Sequence, residues 1–323
     1  MSQILAVIGN ITTTAPIPGA DRIQSATVNC GSSGTWQGVI GKDINAGDAV
    51  TVFLQDALLP PNSRWAFMEK HNWRVRMARF KGAPSECLII PGALDMPPGT
   101  DLTAELGVTK YEKPVSISMQ GDAIGAFPDF IPKTDEPNFQ TILNINELMK
   151  SGDWYVTEKA DGTSCTTWVD YNLRGFHGEY HVCSRNYKLR EFSHNGRQNI
   201  YWQAARKYKL DRLMPGYALQ FEIIGPGIQG NPMGLKDLEI RVFSLFHVPQ
   251  QRYCEYSELL DIARSLNLPL ARKIECEHRA YSHDELLKLA EIKYANGKPG
   301  EGIVIRANDS SWSFKVLNLL YKD

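Results

Sequence analysis

Glu158-Lys159-Ala160-Asp161-Gly162 is the stretch from which the rest of the chain is best read. A lysine that follows strand-like residues, with an acid two positions on and a glycine three positions on, is unusual for a surface turn, where lysine is ordinarily a solvated charge. On either side, Tyr155 to Lys159 and Thr166 to Asp170 alternate in polarity and are expected as strands. Gln198 to Lys209 and Tyr256 to Leu266 have helical spacing. Ser282-His283-Asp284-Glu285 is a capping box; its helix is expected to run to Ala295, with Gly297 past its end. Glu301 to Arg306 and Ser313 to Val316 close the series as late strands. Strands and helices mixed in this way imply an α+β domain large enough to enclose a cleft.

The first 110 residues have a different texture. Ile4 to Ile11, Arg22 to Val28, Gly38 to Ile40 and Ala49 to Leu54 read as short strands. Turn signals separate them at Pro16-Ile17-Pro18-Gly19, Gly31-Ser32-Ser33-Gly34 and Ala46-Gly47-Asp48. Such spacing suggests a small barrel or sandwich. Residues 91 to 138 are rich in Pro and Gly, which places a domain boundary and linker there.

With 323 residues, 43% hydrophobic and 22% charged, the chain suits about two globular domains and excludes a disordered or collagen-like one. Thirty-five Lys and Arg oppose 36 Asp and Glu, so any case for a nucleic-acid partner must be local. One local case exists. Arg64, Lys70, Arg74, Arg76, Arg79 and Lys81 face only Glu69, a local excess of five positive charges. Trp73, Val75 and Met77 alternate with Arg74 and Arg76, so a strand there would bury one face and present cations on the other. The six cysteines form no C-x-x-C pair, and reduced thiols in a cytoplasm-like compartment are expected. No apolar run approaches the roughly 20 residues of a membrane span, and the N-terminus lacks the pattern of a secretory signal.

Downstream of Lys159 come Ser184-Arg185-Asn186, Phe221-Glu222-Ile223-Ile224-Gly225-Pro226-Gly227 and Arg241-Val242-Phe243-Ser244-Leu245-Phe246. Then follow Glu301-Gly302-Ile303-Val304-Ile305-Arg306 and Ser313-Phe314-Lys315-Val316. In order and spacing, together with the K-x-D-G of Lys159, they resemble motifs I, Ia, III, IIIa, IV and V of the covalent nucleotidyltransferases, in their RNA ligase branch. Ala20-Asp21-Arg22-Ile23, Ala46-Gly47-Asp48-Ala49-Val50, Leu58-Leu59-Pro60 and Ser85-Glu86-Cys87-Leu88 resemble the N-terminal OB module of the fifth RNA ligase family. The resemblance implies an α+β protein: an OB-like RNA-binding barrel over residues 1–115, a linker over 116–138, and a nucleotidyltransferase domain (ATP-grasp-like, ligase adenylation) over 139–323.

It also implies roles. Lys159 would attack the α-phosphate of ATP, for which its amine must lose a proton that a free lysine of pKa about 10.4 keeps at neutral pH. A metal ion, a second lysine or partial burial would lower that value. Glu158, Asp161, Gly162, Arg185, Glu222, Phe243 and Lys315 would join Lys159 in binding the nucleotide. Phe243 would stack on the base, and Lys315 would touch the α-phosphate and depress the Lys159 pKa. Glu301 and Asp161 would bind Mn2+ or Mg2+. Plain alternatives are a surface arginine for Arg185, an internal salt bridge for Glu222 and a core position for Phe243. Lys133 or Gln140, in the segment before motif I, could approach the nucleotide. Arg74, Arg76, Arg79 and Lys81 would bind RNA. One departure stands out: motif V in many relatives carries two lysines one residue apart, and Ser313 replaces the first. Only eight residues follow Lys315, leaving no room for the C-terminal OB domain of DNA ligases and capping enzymes. The expectation is therefore an ATP-dependent RNA ligase and RNA-repair enzyme, a monomer acting on 5′-phosphate and 3′-hydroxyl ends of a nicked duplex in cytoplasm or nucleus. A DNA ligase or capping-type guanylyltransferase is the alternative, and a non-catalytic RNA-binding protein the second.

Overall fold

A computed structural model describes residues 4–93, 96–111, 121–170 and 178–321. By contact the chain divides into two units, Met1–Pro114 with Asn138–Ile145, and Val115–Pro137 with Asn146–Asp323. The stretch expected as a linker thus packs with the second unit up to Pro137, while 116–120 lie outside the described residues. The reason is visible in its side chains: Ile131 is buried, and Gln220 Nε2 donates to Pro132 O at 2.8 Å.

The first unit holds β1 (Ala6–Pro16), β2 (Ile23–Asn29), β3 (Thr35–Gly41), β4 (Ala49–Phe53), β5 (Ala57–Leu58), β6 (Ala78–Phe80), β7 (Ala83–Ser85), β8 (Leu88–Pro91) and β9 (Thr109–Lys110). Five of them form an antiparallel sheet in the order β3-β2-β1-β4-β8. A bulge between Ile11 and Thr13 bends β1, which pairs with β4 through Ala6–Asn10 and with β2 through Asn10–Pro16. Alternation along β1 sends Val7 and Ile11 to a cluster with Val28, Trp36 and Val52. Ala6 and Ile8 go to another, with Phe53, Trp65 and Met68. Where β3 meets β8, a Cβ on Gly38 would stand 2.5 Å from Ile89 Cδ1, so glycine permits the close approach that curls the sheet into an OB-like barrel.

The strand expected over Trp73 to Met77 does not form; a single bridge joins Arg74 to Leu58. Asn72 and Trp73 have positive φ, which interrupts extended pairing, and Val75 is buried while its N–H donates to Ala57 O.

The second unit contains β10 (Ala123–Ala126), β11 (Trp154–Glu158), β12 (Thr163–Val169), β13 (Tyr180–Ser184), β14 (Tyr187–Leu189), β15 (Tyr217–Ile224), β16 (Glu239–His247), β17 (Arg252–Tyr253), β18 (Gly302–Ala307) and β19 (Ser313–Leu317). Its helices are α1 (Ile145–Lys150), α2 (Ile200–Lys207), α3 (Tyr256–Ser265) and α4 (His283–Leu289). Seven strands form one antiparallel sheet, β10-β14-β13-β12-β15-β16-β17, and three form another, β11-β18-β19. Helices α2 and α3 cover one face of the large sheet through Trp202, Leu219, Phe221, Leu245 and Leu259. Ile131, Trp168, Cys183 and Phe246 pack on another cluster. Helix α4 has its capping box but stops at Leu289, short of Ala295. Lys293 bridges to Pro299 and Gly297 turns with φ +80°, so the chain must leave the helix to reverse into β18. All six cysteines are free, and among the described residues no helix is long and apolar enough to cross a membrane.

Phe221 is fully buried in the large sheet. Phe221→Ala is expected to destabilise the protein by about 3–5 kcal/mol, measured as a shift in the urea midpoint with an unchanged slope.

Candidate nucleotidyl-transfer site

The K-A-D-G stretch is the crossover between the two sheets of the second unit. Lys159 follows β11, and its N–H donates to Gly302 O at 2.8 Å, extending the β11–β18 pairing by one residue. Gly162 then enters β12 against β15. A Cβ on Gly162 would collide with the carbonyl oxygen of Ile223 and lie 2.9 Å from Glu222 Cγ. The glycine therefore serves close packing: only hydrogen lets the lysine-bearing turn lie against the strand that carries Glu222.

Sheet pairing assembles the charges. Glu301 stands just before β18, and Lys159 Nζ donates to its Oε1 at 2.6 Å, with side-chain exposures of 27% and 20%. Glu222, half-buried on β15, lies opposite Ser164 of β12 in the ladder. Asp161 is buried and accepts a hydrogen bond from Tyr321 Oη. Burial pulls the Lys159 pKa down, but the Glu301, Glu222 and Asp161 carboxylates outweigh it and raise it above the ordinary lysine value. In the protein alone the three acids favour the charged amine, against the lowering that burial supplies.

The other anticipated residues take varied positions. The carboxylate of Glu158, expected to bind nucleotide, is buried and accepts from Arg272 Nε at 2.9 Å and Nη2 at 2.5 Å, an ion pair of its own. Phe243 is half-buried. Ser244 pairs with Gln220 and Val242 with Phe221, which leaves Phe243 as the extra residue of a bulge in β16. Bulges re-aim side chains, and the Arg306 guanidinium stands 5.5 Å from the ring centroid. Arg185 is exposed and paired with Asp135 at 2.5 Å. Lys315 is half-buried on β19, opposite Val304, with its N–H on Pro137 O.

The segment before Lys159 is tied to this sheet, not free beside it. Lys133 Nζ donates to Asn186 Oδ1 at 2.9 Å and Thr134 Oγ1 meets Ser164 Oγ at 2.8 Å. Gln140 instead belongs to the first unit, where its amide and the Gln37 N–H bond the buried Glu86 carboxylate. Arg74, expected on RNA, is committed to Asp56 at 2.8 Å and to the face of Tyr111 at 4.0 Å, whereas Arg76 and Lys81 are exposed.

Four participants escaped sequence reasoning. Glu136 accepts from Arg306 Nη2 at 2.8 Å and from Ser313 Oγ, so the serine in place of the first motif V lysine anchors a carboxylate that also orients Arg306. Tyr294 Oη accepts from Glu301 N–H at 3.1 Å, and Tyr321 holds Asp161. Burial and the Asp161 carboxylate push the Tyr321 phenol far up, keeping it a donor. Arg272 braces Glu158. The partners of Glu136, Tyr321 and Arg272 lie more than 100 residues away, and the Tyr294 contact is to a backbone N–H that no motif marks.

A strand-end lysine ringed by carboxylates, carried between antiparallel sheets in a chain that begins with an OB-like barrel, defines the class of covalent nucleotidyltransferases. A family model described as RNA ligase matches residues 152–320, just over half the chain, and an OB-fold domain model matches residues 5–92. The chain belongs to the RNA ligase family. No curated protein sequence gives a significant match. Among solved structures the chain is similar to Naegleria gruberi RNA ligase. An apo Asp-to-Ala form shares 29% identity at TM-score 0.80, covering 99% of this chain and 98% of that one. A Glu-to-Ala form with AMP and Mn shares 29% at 0.80, covering 98% and 97%. A Lys-to-Ala form with ATP and Mn shares 28% at 0.79, covering 97% of each.

Gly162→Ala is expected to cost about 1–3 kcal/mol by overpacking and to displace Lys159, read as a lower melting temperature together with lost nucleotide transfer. Glu136→Ala leaves Arg306 buried without its carboxylate and is expected to cost about 3–5 kcal/mol, whereas Glu136→Gln, which keeps an acceptor for Arg306 and Ser313, should recover part of that loss in the same urea titration.

Proposed function

We propose that this RNA ligase joins a 3′-hydroxyl to a 5′-phosphate of RNA at the expense of ATP, through a lysyl-AMP on Lys159. The observation that carries the reading is Lys159 Nζ held 2.6 Å from Glu301 Oε1, with Asp161 and Glu222 adding to the same field. Naegleria gruberi RNA ligase, similar over nearly the whole chain, is known with ATP and Mn and with AMP and Mn, which supports the same ligands here.

In the first step the Lys159 Nζ lone pair forms a P–N bond to the α-phosphorus of ATP while the bond to pyrophosphate breaks. Before the attack the charged amine gives one proton to Glu301 Oε1 along the hydrogen bond it already makes, which frees that lone pair, and the second proton passes to solvent as the P–N bond forms. Lys315 would place its charge against the α-phosphate, and Arg185 would exchange Asp135 for phosphate. Phe243, aimed by its bulge, would stack on the base. In the second step a 5′-phosphate oxygen attacks the same phosphorus. The P–N bond breaks, giving A(5′)pp(5′)RNA and the free amine. In the third, the 3′-hydroxyl attacks the RNA 5′-phosphorus and AMP leaves. Positioning and electrostatics carry each step.

Asp161, Glu222 and Glu301 are hard oxygen donors, the chemistry Mn2+ and Mg2+ prefer. Glu301 and Asp161 would hold the ion, which when bound supplies positive charge against both the phosphates and the acids that keep the amine protonated.

The test is incubation with α-labelled ATP or GTP and divalent metal, after stripping bound AMP, followed by a denaturing gel. Label from ATP is expected on the wild type, none on Lys159→Ala, and none after chelation of the metal. Lys315→Ala should slow labelling by about 10²- to 10³-fold. Label from GTP instead would make this a capping-type enzyme; label from neither nucleotide, with RNA still bound, would leave a binding protein.

A further inference from the structure

We propose that the β6–β7 hairpin tip of the first unit is a stacking site for an unpaired nucleotide of the RNA substrate, with Phe80 as its platform. The proposal rests on the RNA ligase reading for the identity of the polymer.

Phe80 ends β6 and is 49% exposed, which leaves its ring open to a ligand. It pairs with Ala83, leaving Lys81 and Gly82 as a two-residue loop. Both have positive φ, +48° and +87°, as a type I′ turn demands. Asn or Gly is the low-cost residue at the first of these positions, and a long side chain there is strained. The tip is also braced: Arg79 Nη1 donates to Gly82 O at 2.9 Å and Lys81 Nζ donates to Gly19 O.

Gly19 lies in the turn that leads into Arg22, whose carbonyl accepts from Lys42 N–H at 3.3 Å. Lys81, directly after Phe80, is exposed, as are Arg22, Lys42 and Arg76 elsewhere on this unit. Arg76 is turned outward between the buried Val75 and the half-buried Met77. A planar ring followed directly by an exposed lysine on a braced turn suits a base with its phosphate. Stacking is sequence-tolerant because every base has a π-face. It requires a base that is not already stacked in a duplex, so the occupant is single-stranded.

The test is fluorescence anisotropy of a labelled oligoribonucleotide, single-stranded or annealed to its complement, with full-length wild type, Phe80→Ala and Phe80→Trp, each checked by thermal melting. Phe80→Ala is expected to weaken single-strand binding roughly 5- to 100-fold and to leave duplex binding unchanged, with Phe80→Trp close to wild type. Single-strand binding unaffected by Phe80→Ala, or an equal loss on duplex, overturns the site. Label transfer from ATP to the same proteins separates the two readings. Wild type that takes label while Phe80→Ala binds RNA normally refutes only the stacking site. Wild type that takes no label but binds single strands through Phe80 refutes only the ligase chemistry.

Discussion

A lysine side chain three-quarters withdrawn from water, its amine 2.6 Å from a carboxylate, is the constraint on which the catalytic unit depends. A pair so placed is a poor source of stability, because desolvation offsets much of its attraction. It persists only if the surrounding backbone gives neither partner another place to go. The three-stranded sheet meets that condition. Lys159 extends β11 by a hydrogen bond to Gly302, and Glu301 is the residue that enters β18 beside it. Residues 142 positions apart in the chain are brought together by strand pairing, not by side-chain preference.

The remaining acids follow from the same crossover. Between Lys159 and β12 only three residues separate the two sheets, and Gly162 is the one that must have no side chain. With the turn pressed against β15, Glu222 and Asp161 come close enough to raise the amine's pKa together with Glu301. The field around the amine is thereby negative, which suits a ligand set of ATP with a divalent cation. The hydroxyls of Tyr294 and Tyr321 hold Glu301 and Asp161 without adding charge to that balance.

A second balance is struck at motif V. Where relatives place a lysine, Ser313 donates to Glu136, and Glu136 holds Arg306 beside Phe243. The Arg306 charge is committed to that carboxylate, and its guanidinium lies over the Phe243 ring. Arg74 teaches the same lesson in the first unit, where a cation counted toward an RNA-binding face is spent on Asp56 and Tyr111.

The local grammar of the chain was legible in its residues. Strand and helix positions, the capping box at Ser282, the two-part organisation and the lysine with its motif order depend on neighbours a few residues apart, where period and turn chemistry act. Lys159, Glu222 and Glu301 were grouped through the resemblance of their motifs to those of the RNA ligases, and the paired sheets bring the three into one field. Tertiary structure decided what each charge was for. Glu158 faces Arg272, Arg185 faces Asp135, and Glu136 bridges Ser313 and Arg306, pairings of about 50 to 180 residues that no local pattern encodes. It also decided the segment before Pro137, read as a linker but packed with the sheet, and the irregular path of residues 73–77, where Asn72 and Trp73 at positive φ ended a strand that polarity alone predicted. Composition and spacing report which side chains are present; the field around the Lys159 amine is a sum over distances, and those exist only once the sheets have paired.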